Sequence, residues 1–490
     1  MQAIPADLIT KYDAAGPRYT SYPTVPVWSA EFAADAYQQA LAGLADPGDP
    51  GDPDDPDDRE AAAEETVCLY LHLPFCAKRC HYCACNAVTA ENRGVVDDYL
   101  DSLEQEIGLV GSALGRRPRV AQLHWGGGSP NYLTGPQIER ARQLLARAFE
   151  FDAESPLSLE ADPRLGTSDQ ADLLYAAGFR RISLGIQDFA PEVQAAIGRR
   201  QSESRIREFY TACREAGFGG INLDLVYGLP RQTADSLQRT LDSVLDLAPD
   251  RIACFSYAHV PWVRPNQKLV DDRELPEGVE KFRLFQLVVQ RLTEAGYRWI
   301  GLDHFALPDD ELAVAQAERK LHRNFMGYTT RPAAALIALG MSGITELPGH
   351  FAQNSADLAA YQWELAAGRL PIVRGYRLQR DDRIRQRVIT HLMCNLELPF
   401  DLVQAEFGVD LEDYLAMELA SLEPLVADGL LQRDPERKRR RLLVTDAGRF
   451  FLRNICMGLD AHLHGTAGSP AADTNERTPA NSATRFSRTI

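Results

Sequence analysis

The stretch Tyr70-Leu71-His72-Leu73-Pro74-Phe75-Cys76-Ala77-Lys78-Arg79-Cys80-His81-Tyr82-Cys83-Ala84-Cys85-Asn86 decides the fold. It begins inside an apolar run, Cys68–Pro74, that reads as a strand. It then enters a loop holding four of the chain's nine cysteines, spaced Cys-x3-Cys-x2-Cys-x-Cys. An odd total with one dense cluster does not describe a disulfide framework; in a reducing compartment it points to metal or redox chemistry. Thiolates from Cys76, Cys80 and Cys83 suffice for three corners of a 4Fe–4S cubane, leaving the fourth iron open. An open iron can chelate the amino and carboxylate groups of S-adenosylmethionine (SAM). One electron from a reduced cluster then cleaves a carbon–sulfur bond, giving methionine and a 5′-deoxyadenosyl radical, chemistry that belongs to the cofactors. The competing interpretation is zinc, but zinc sites usually pair ligands in two separated knuckles, and a Cys-x-Cys step suits one tetrahedral ion poorly. Buried core thiols are a further alternative. Cys85 reads as a ligand, a substrate-side thiol or packing; it is kept out of the cluster set.

Outward from this loop, short apolar runs alternate with helical patterns. The runs are 68–74, 121–128, 157–163, 181–188, 220–230 and 251–258; the helical segments are 95–114, 135–151, 168–177, 203–216 and 233–247. Such alternation predicts an α/β fold with a parallel sheet and helices outside it, here a partial (β/α)6 barrel over 67–345. Several runs end in polar or glycine-rich segments: Gly126-Gly127-Gly128, Glu160-Ala161-Asp162, Gln187-Asp188 and Asp224. Chemistry gathers at that rim of a barrel. Glycines there let backbone approach a ligand, although a Gly triplet alone is as often a tight turn. Glu160 and Asp224 suit an amino group, a ribose hydroxyl or a sulfonium. Arg199 suits a carboxylate, bidentately. Taken singly, each of these charges is more often a solvated group or a salt bridge.

Before the barrel, residues 1–45 read as an arm, extended through Pro17-Arg18-Tyr19-Thr20-Ser21-Tyr22-Pro23-Thr24, with a short helix near 30–44. An acidic low-complexity loop follows at 46–66; its residues 46–65 hold ten acids and one arginine of a chain with net charge −17. With that segment set aside the chain is only mildly acidic. Nucleic-acid binding, which needs a basic face, is not expected. After 345 the alternation stops. Residues 346–463 read as a mainly helical, winged-helix-like domain with helices at 356–367, 381–394, 411–428 and 447–457. A hairpin of 430–433 and 441–444 flanks the basic run Arg437-Lys438-Arg439-Arg440-Arg441, taken as a solvated turn. A flexible tail is expected at 464–490. No run of eighteen apolar residues predicts a membrane span, and the N-terminus carries no secretory pattern, so a cytoplasmic protein is expected.

The cysteine spacing on the first strand resembles the radical SAM superfamily. The chain as a whole resembles the oxygen-independent coproporphyrinogen III oxidases (coproporphyrinogen dehydrogenases). The resemblance runs through Gly16-Pro-Arg-Tyr-Thr-Ser-Tyr-Pro-Thr24, the cysteine motif, His124-Trp-Gly-Gly-Gly-Ser-Pro130, Arg181-Ile-Ser-Leu-Gly-Ile-Gln-Asp188 and Asn222-Leu-Asp-Leu-Val-Tyr-Gly-Leu-Pro230. It continues through Asp303-His-Phe-Ala306, Leu321-His-Arg-Asn-Phe-Met-Gly-Tyr-Thr-Thr330 and Phe486-Ser-Arg-Thr-Ile490. It implies a 4Fe–4S cluster on Cys76, Cys80 and Cys83 and two SAM molecules. Tyr70, Gly127, Glu160 and Ile344 match contacts to the SAM on the cluster. Tyr82, Gly128, Ser129, Gln187, Arg199, Asp224 and Ala258 match contacts to the second. Tyr70, Glu160 and Cys85 are the catalytic candidates. The implied reaction is oxidative decarboxylation of two propionates of coproporphyrinogen III to vinyl groups, giving protoporphyrinogen IX in porphyrin and haem biosynthesis.

A polyanionic substrate predicts basic and hydroxyl groups at the mouth, and Arg18, Tyr19, Thr20, Tyr22, Arg323, Asn324 and Tyr328 are the candidates. Two positions depart from the family pattern. Met326 stands where that pattern has Gln, and a thioether cannot donate a hydrogen bond to a carboxylate. Ser129 replaces Thr and keeps the hydroxyl. Competing functions are a haem-binding chaperone of the HemW type, a radical SAM enzyme with another substrate, and a zinc-dependent regulator. The arm and Cys85 set the chain apart from the chaperones, which typically lack the one and carry an aromatic at the other. An electron donor and acceptor are required but not named by the sequence, and a monomer is expected.

Overall fold

The computed structural model of the protein describes residues 4–44, 66–90, 92–152, 155–434, 440–464 and 486–489. The acidic run 46–65, the basic residues 437–439 and the stretch 465–484 lie outside the described residues.

Six strands form where the apolar runs predict them: β1 Thr66–Leu73, β2 Arg119–Gly127, β3 Leu157–Ala161, β4 Arg181–Gln187, β5 Gly220–Tyr227 and β6 Arg251–Ser256. Helices Gly94–Leu114, Gly135–Ala148, Ser168–Ala176, Glu203–Ala216 and Ala234–Leu247 connect them. The six strands pair in parallel and in sequence order, the partial barrel expected. Side chains alternate with the strand period of two. On β1, Val67, Leu69, Leu71 and Leu73 are fully buried, while Cys68, Tyr70 and His72 take the opposite face. The core between sheet and helices is closed by side chains such as Trp125, packed edge-on against Phe179 at 4.9 Å.

The sheet does not stop with these strands. After β7 Arg298–Gly301, β8 His304–Ala306 and the separate hairpin β9 His322–Asn324 with β10 Gly327–Thr329, the chain returns as β11 Ala335–Leu339. β11 lies parallel to β1 on its free side, with Val67 opposite Ala335 and Leu71 opposite Leu339. Strands β12 Ile344–Leu347, β13 His350–Asn354 and β14 Ile372–Arg377 then extend the same sheet in antiparallel fashion. The expected domain boundary at 345 therefore falls inside β12, and the helical domain begins only after Arg377. These strands were not visible in the sequence because they are short and carry polar residues on a partly solvated face, as antiparallel strands do.

In the C-terminal part the helix Arg380–Asn395 forms as expected. The helix expected over 411–428 is instead broken into Leu411–Tyr414, Ala416–Ser421 and Glu423–Ala427. Pro424 sits in the first turn of the last piece, where its missing N–H cannot continue the preceding helix. β15 Glu397–Pro399, β16 Leu431–Arg433 and β17 Arg441–Val444 make a small sheet with β17 in the centre. In the described part of the basic turn, Arg440 pairs with Asp410 and Glu412, and Arg441 with Glu397 and Asp434. In the N-terminal arm, residues 17–24 carry no helix and the expected short helix spans Ala34–Gly43; a helix the sequence reading did not include, Ala6–Tyr12, precedes them.

Candidate active site

The C-terminal ends of β1 to β5 converge on the cysteine loop. After β1, Pro74 turns the chain, and Phe75–Cys76 pairs with Val88–Thr89, closing the loop at its base. The Gly triplet supports it from β2. Gly128 and Ser129 donate their N–H groups to Leu73 O and Phe75 O, both at 2.9 Å. A β-carbon on Gly128 would lie 2.5 Å from Pro74 O, and one on Gly127, whose φ is 116°, would lie 2.8 Å from the His72 ring. Only glycine fits this approach.

The three candidate ligands have separate surroundings. Cys76 Sγ lies 3.6 Å from Ser129 Oγ, Cys80 Sγ accepts from Arg199 at 3.6 Å and Arg164 at 3.8 Å, and Cys83 Sγ accepts from Cys85 N at 3.4 Å. Hydrogen bonding from Cys85 brings the Cys83 thiol down to about 6, whereas burial pushes Cys76 up to about 11. Among the described residues no three Cys, His or carboxylate side chains converge on a single-ion site. Zinc would need such convergence. Cubane ligands bind separate irons and stand further apart. The donor set fits a 4Fe–4S cluster, and Arg199 and Arg164 place two cations where thiolate charge would collect. Cys85 is exposed beside this set.

Below the loop the inward-facing side chains form one polar surface. His72 Nε2 lies 2.9 Å from Asn86 O, and a carbonyl only accepts, so Nε2 carries the proton. His72 Nδ1 then accepts from the Tyr70 hydroxyl at 3.1 Å. Burial lowers the His72 pKa and favours this neutral form. The Tyr70 ring stacks on His124 at 6.1 Å. Glu160 Oε2 accepts from Gly127 N at 3.2 Å, and Oε1 faces His124 Nε2 at 3.8 Å. Burial works to raise the Glu160 pKa, but His124 and the Gly127 amide outweigh it and hold the carboxylate ionised. Asp224 accepts from Ser183 Oγ at 2.6 Å and Asn222 Nδ2 at 2.8 Å, and burial pushes it up to about 6.

Gln187 sits at the end of β4 with φ 69°, where the register with β5 slips. A bulge with a non-glycine residue in this region is a locally strained device that re-aims a side chain. Tyr82 lies within the loop and Ser129 and Ala258 lie outside it, Tyr82 O and Ala258 O both accepting from Gln267 Nε2. Ile344 starts β12, two strands from β1.

A cavity of about 260 Å³ opens beneath Glu160 and Asp224 inside the barrel. His124, Ser158, Ser183, Asn222, His304, Met326 and Tyr328 are among its lining residues. Met326 thus faces the cavity, with its backbone N–H held by Asn324 Oδ1 at 2.9 Å.

Two expectations change. The fork of Arg199 does not stand open for a ligand carboxylate: buried Asp162 receives it at 3.1 and 3.3 Å, and Gly185 O takes a further bond at 2.6 Å. Several proposed substrate-facing groups are engaged by the protein. Arg18 pairs with Asp303, Tyr19 donates to Asp460 at 2.9 Å, and the Tyr22 hydroxyl accepts from Ala461 N at 3.2 Å. Arg323 donates to the carbonyls of Arg18 and Tyr19, and Tyr328 to Met393 O at 3.2 Å. His72, His124, Ser183 and Asn222 went unread as site residues in the sequence, and Asp162 figured only as part of the polar rim segment after β3. His72 and Asn222 lie two residues along a strand from Tyr70 and Asp224, and His124 two from the Gly triplet, so the period of two was the available signal for these three.

A glycine-cradled cysteine loop at the C-terminal rim of a parallel partial barrel, over a polar interior, defines a radical SAM protein. The superfamily's sequence profile matches residues 70–244, and that of the HemN C-terminal domain matches residues 378–451. The oxygen-independent coproporphyrinogen III oxidase of Escherichia coli (strain K12) is 42% identical over 456 residues, covering 93% of this chain and 95% of that protein. Its namesake from Pseudomonas aeruginosa is 41% identical over 460 residues, covering 94% and 96%. The solved structure of Escherichia coli coproporphyrinogen III oxidase (HemN), described as a radical SAM enzyme, superposes with a TM-score of 0.84 at 41% identity, covering 94% of this chain and all of that one. The chain belongs to the oxygen-independent coproporphyrinogen III oxidase family of radical SAM enzymes.

Proposed function

We propose that this chain converts two propionates of coproporphyrinogen III to vinyl groups without oxygen, giving protoporphyrinogen IX. The observation that carries the proposal is the polar cavity directly beneath Glu160 and Asp224, open to the inside of a barrel whose rim holds the cysteine loop. When bound, a cluster on Cys76, Cys80 and Cys83 and its SAM supply a 5′-deoxyadenosyl radical that takes hydrogen from the propionate carbon next to the ring. The substrate then loses carbon dioxide and one electron, and the vinyl group remains.

The chain's own residues position and exclude. Glu160, held ionised, is suited to the amino group of the SAM on the cluster, beside the Gly127 backbone, Tyr70 and Ile344. Tyr82, Gly128, Ser129, Gln187, Arg199, Asp224 and Ala258 border the place assigned to the second SAM. There Arg199 acts with Asp162 as a fixed pair and not as a free clamp. Tyr70 is oriented by the neutral imidazole of His72, to which its hydroxyl donates. Exposed Arg331 borders the cavity and is suited to a substrate carboxylate.

Among the described residues no helix is long and apolar enough to cross a membrane. A dense cysteine cluster of this spacing belongs in a reducing compartment, which supports action in the cytoplasm. The chain is read as a monomer using an external electron donor and acceptor. The test is anaerobic turnover: reconstituted protein, reductant, SAM and coproporphyrinogen III should yield protoporphyrinogen IX and 5′-deoxyadenosine together. 5′-Deoxyadenosine without porphyrin product would show that the substrate is another molecule.

A further inference from the structure

The strap between β6 and the helix Gly278–Glu294 is tied to the cysteine loop. Asn266 Nδ2 donates to Cys80 O at 3.2 Å, His81 O at 2.9 Å and Cys83 O at 2.9 Å, while Gln267 Nε2 reaches Tyr82 O at 2.8 Å. The opposite side of the strap faces water and is apolar. Trp262, Val263 and Leu269 are 62%, 56% and 66% exposed, three of the nine large exposed apolar side chains among the described residues, within eight positions. Nothing in the reaction uses them. The charge of this region is also unusual. The loop 76–90 and the strap 257–277 hold Lys78, Arg79, Arg264, Lys268 and Arg273 against Asp271, Asp272, Glu274 and Glu277; Arg273 takes up Asp271 and Arg231 takes up Glu274, which leaves the stretch around Trp262 and Leu269 basic in a chain of net charge −17. Arg200, next in sequence to the Arg199 that donates to Cys80 Sγ, is a further exposed cation. An apolar centre with a charged rim is the anatomy of a protein interface. A basic face on an acidic protein steers acidic partners to one place and repels them elsewhere.

We propose that strap and cysteine loop form the docking face for a small acidic one-electron carrier protein. The inference rests on the reading that Cys76, Cys80 and Cys83 hold a 4Fe–4S cluster, which must receive one electron from outside before SAM is cleaved. The docked carrier gives up that electron, a reduced flavin passing from hydroquinone to semiquinone, and the cluster gains it. Transient redox encounters of this kind use small interfaces, in keeping with a patch of three apolar side chains.

The test compares two reductants and adds a binding measurement. A bacterial flavodoxin and a bacterial ferredoxin serve as carrier probes, and dithionite as a small reductant that needs no docking. Trp262→Ser and Lys268→Glu change exposed side chains outside the site. Each is expected to weaken flavodoxin or ferredoxin binding by about tenfold or more, measured by titration at low salt. Carrier-driven 5′-deoxyadenosine formation should fall with it, while dithionite-driven formation stays within about twofold of the parent. Parent binding should weaken steeply with added salt. The proposal is overturned if neither carrier binds the parent, if the variants bind as the parent does, or if dithionite-driven formation falls equally, which would make the strap part of the active site. Self-association of the parent lost in Trp262→Ser would also overturn it, assigning the patch to a second copy. Failure of the parent with dithionite would instead refute the cluster reading itself.

Discussion

The cysteine loop and the N-terminal arm are both dense in polar and sulfur-bearing groups, and the fold treats them in opposite ways. In the barrel beneath the loop, polar side chains hold one another only partly and face a cavity. Glu160 has one backbone donor and a distant imidazole, and Asp224 has two neutral donors. In the arm, Arg18, Tyr19 and Tyr22 reach Asp303, Asp460 and the Ala461 backbone, clasping barrel and C-terminal domain together. A polar group that faces a cavity retains capacity for a ligand; one satisfied within the protein fixes structure. The same residue types therefore serve chemistry in one region and architecture in the other.

The comparison breaks first on the cysteines. Alanine at Cys76, Cys80 or Cys83 should abolish SAM cleavage and lower the iron and sulfide bound per chain, with unfolding little changed. Retained cleavage with full iron would remove that residue from the ligand set. On the arm side, Asp303→Asn leaves half-buried Arg18 without its counter-charge and should cost about 1–2 kcal/mol of stability, read by denaturant unfolding. Burial alone would raise the Asp303 pKa, but Arg18 outweighs it and holds the carboxyl far below its usual range. Its stabilisation is therefore present above about pH 4 and lost as the pH falls.

Glu106 has the opposite sign. It is fully buried, accepts from Gly340 N, Asn354 and Tyr361, and meets no cation there, so burial pushes it up to about 7. Its favourable protonation stabilises the fold fully below about pH 4.5 and is lost as the pH rises through 7, a change of roughly 3 kcal/mol. Glu106→Gln should flatten unfolding stability between about pH 5 and pH 8; an unchanged slope would show that another group titrates. Within the site, Glu160→Gln should reduce SAM cleavage about 10- to 100-fold through loss of a charge-assisted hydrogen bond, with iron content intact. The smallest effect is Tyr19→Phe: about 1 kcal/mol of stability, and SAM cleavage per folded chain unchanged. A selective loss of turnover there would return the arm to the substrate site.

Legibility followed the range of the interactions. The strands of the barrel, the helices between them and the cysteine loop were readable because each depends on a local pattern: apolar runs, helical periodicity and the spacing of thiols within ten residues. The strands from Ile344 to Arg377 were not, since their partners lie elsewhere in the chain and one face is polar. His72 and His124 were passed over because a lone histidine in a strand carries no signal until the inside of the barrel is known.

The sequence by itself determined the parallel α/β barrel, the three candidate ligands and the glycines that let backbone approach them, because steric allowance and side-chain period are properties of short segments. The tertiary structure alone decided which polar groups remain available. Asp162, 37 residues from Arg199, closes that guanidinium, and Asp303, 285 residues from Arg18, turns an arm residue into a clasp. A charge is defined by what stands beside it in space, and no local pattern specifies a neighbour brought in from across the chain.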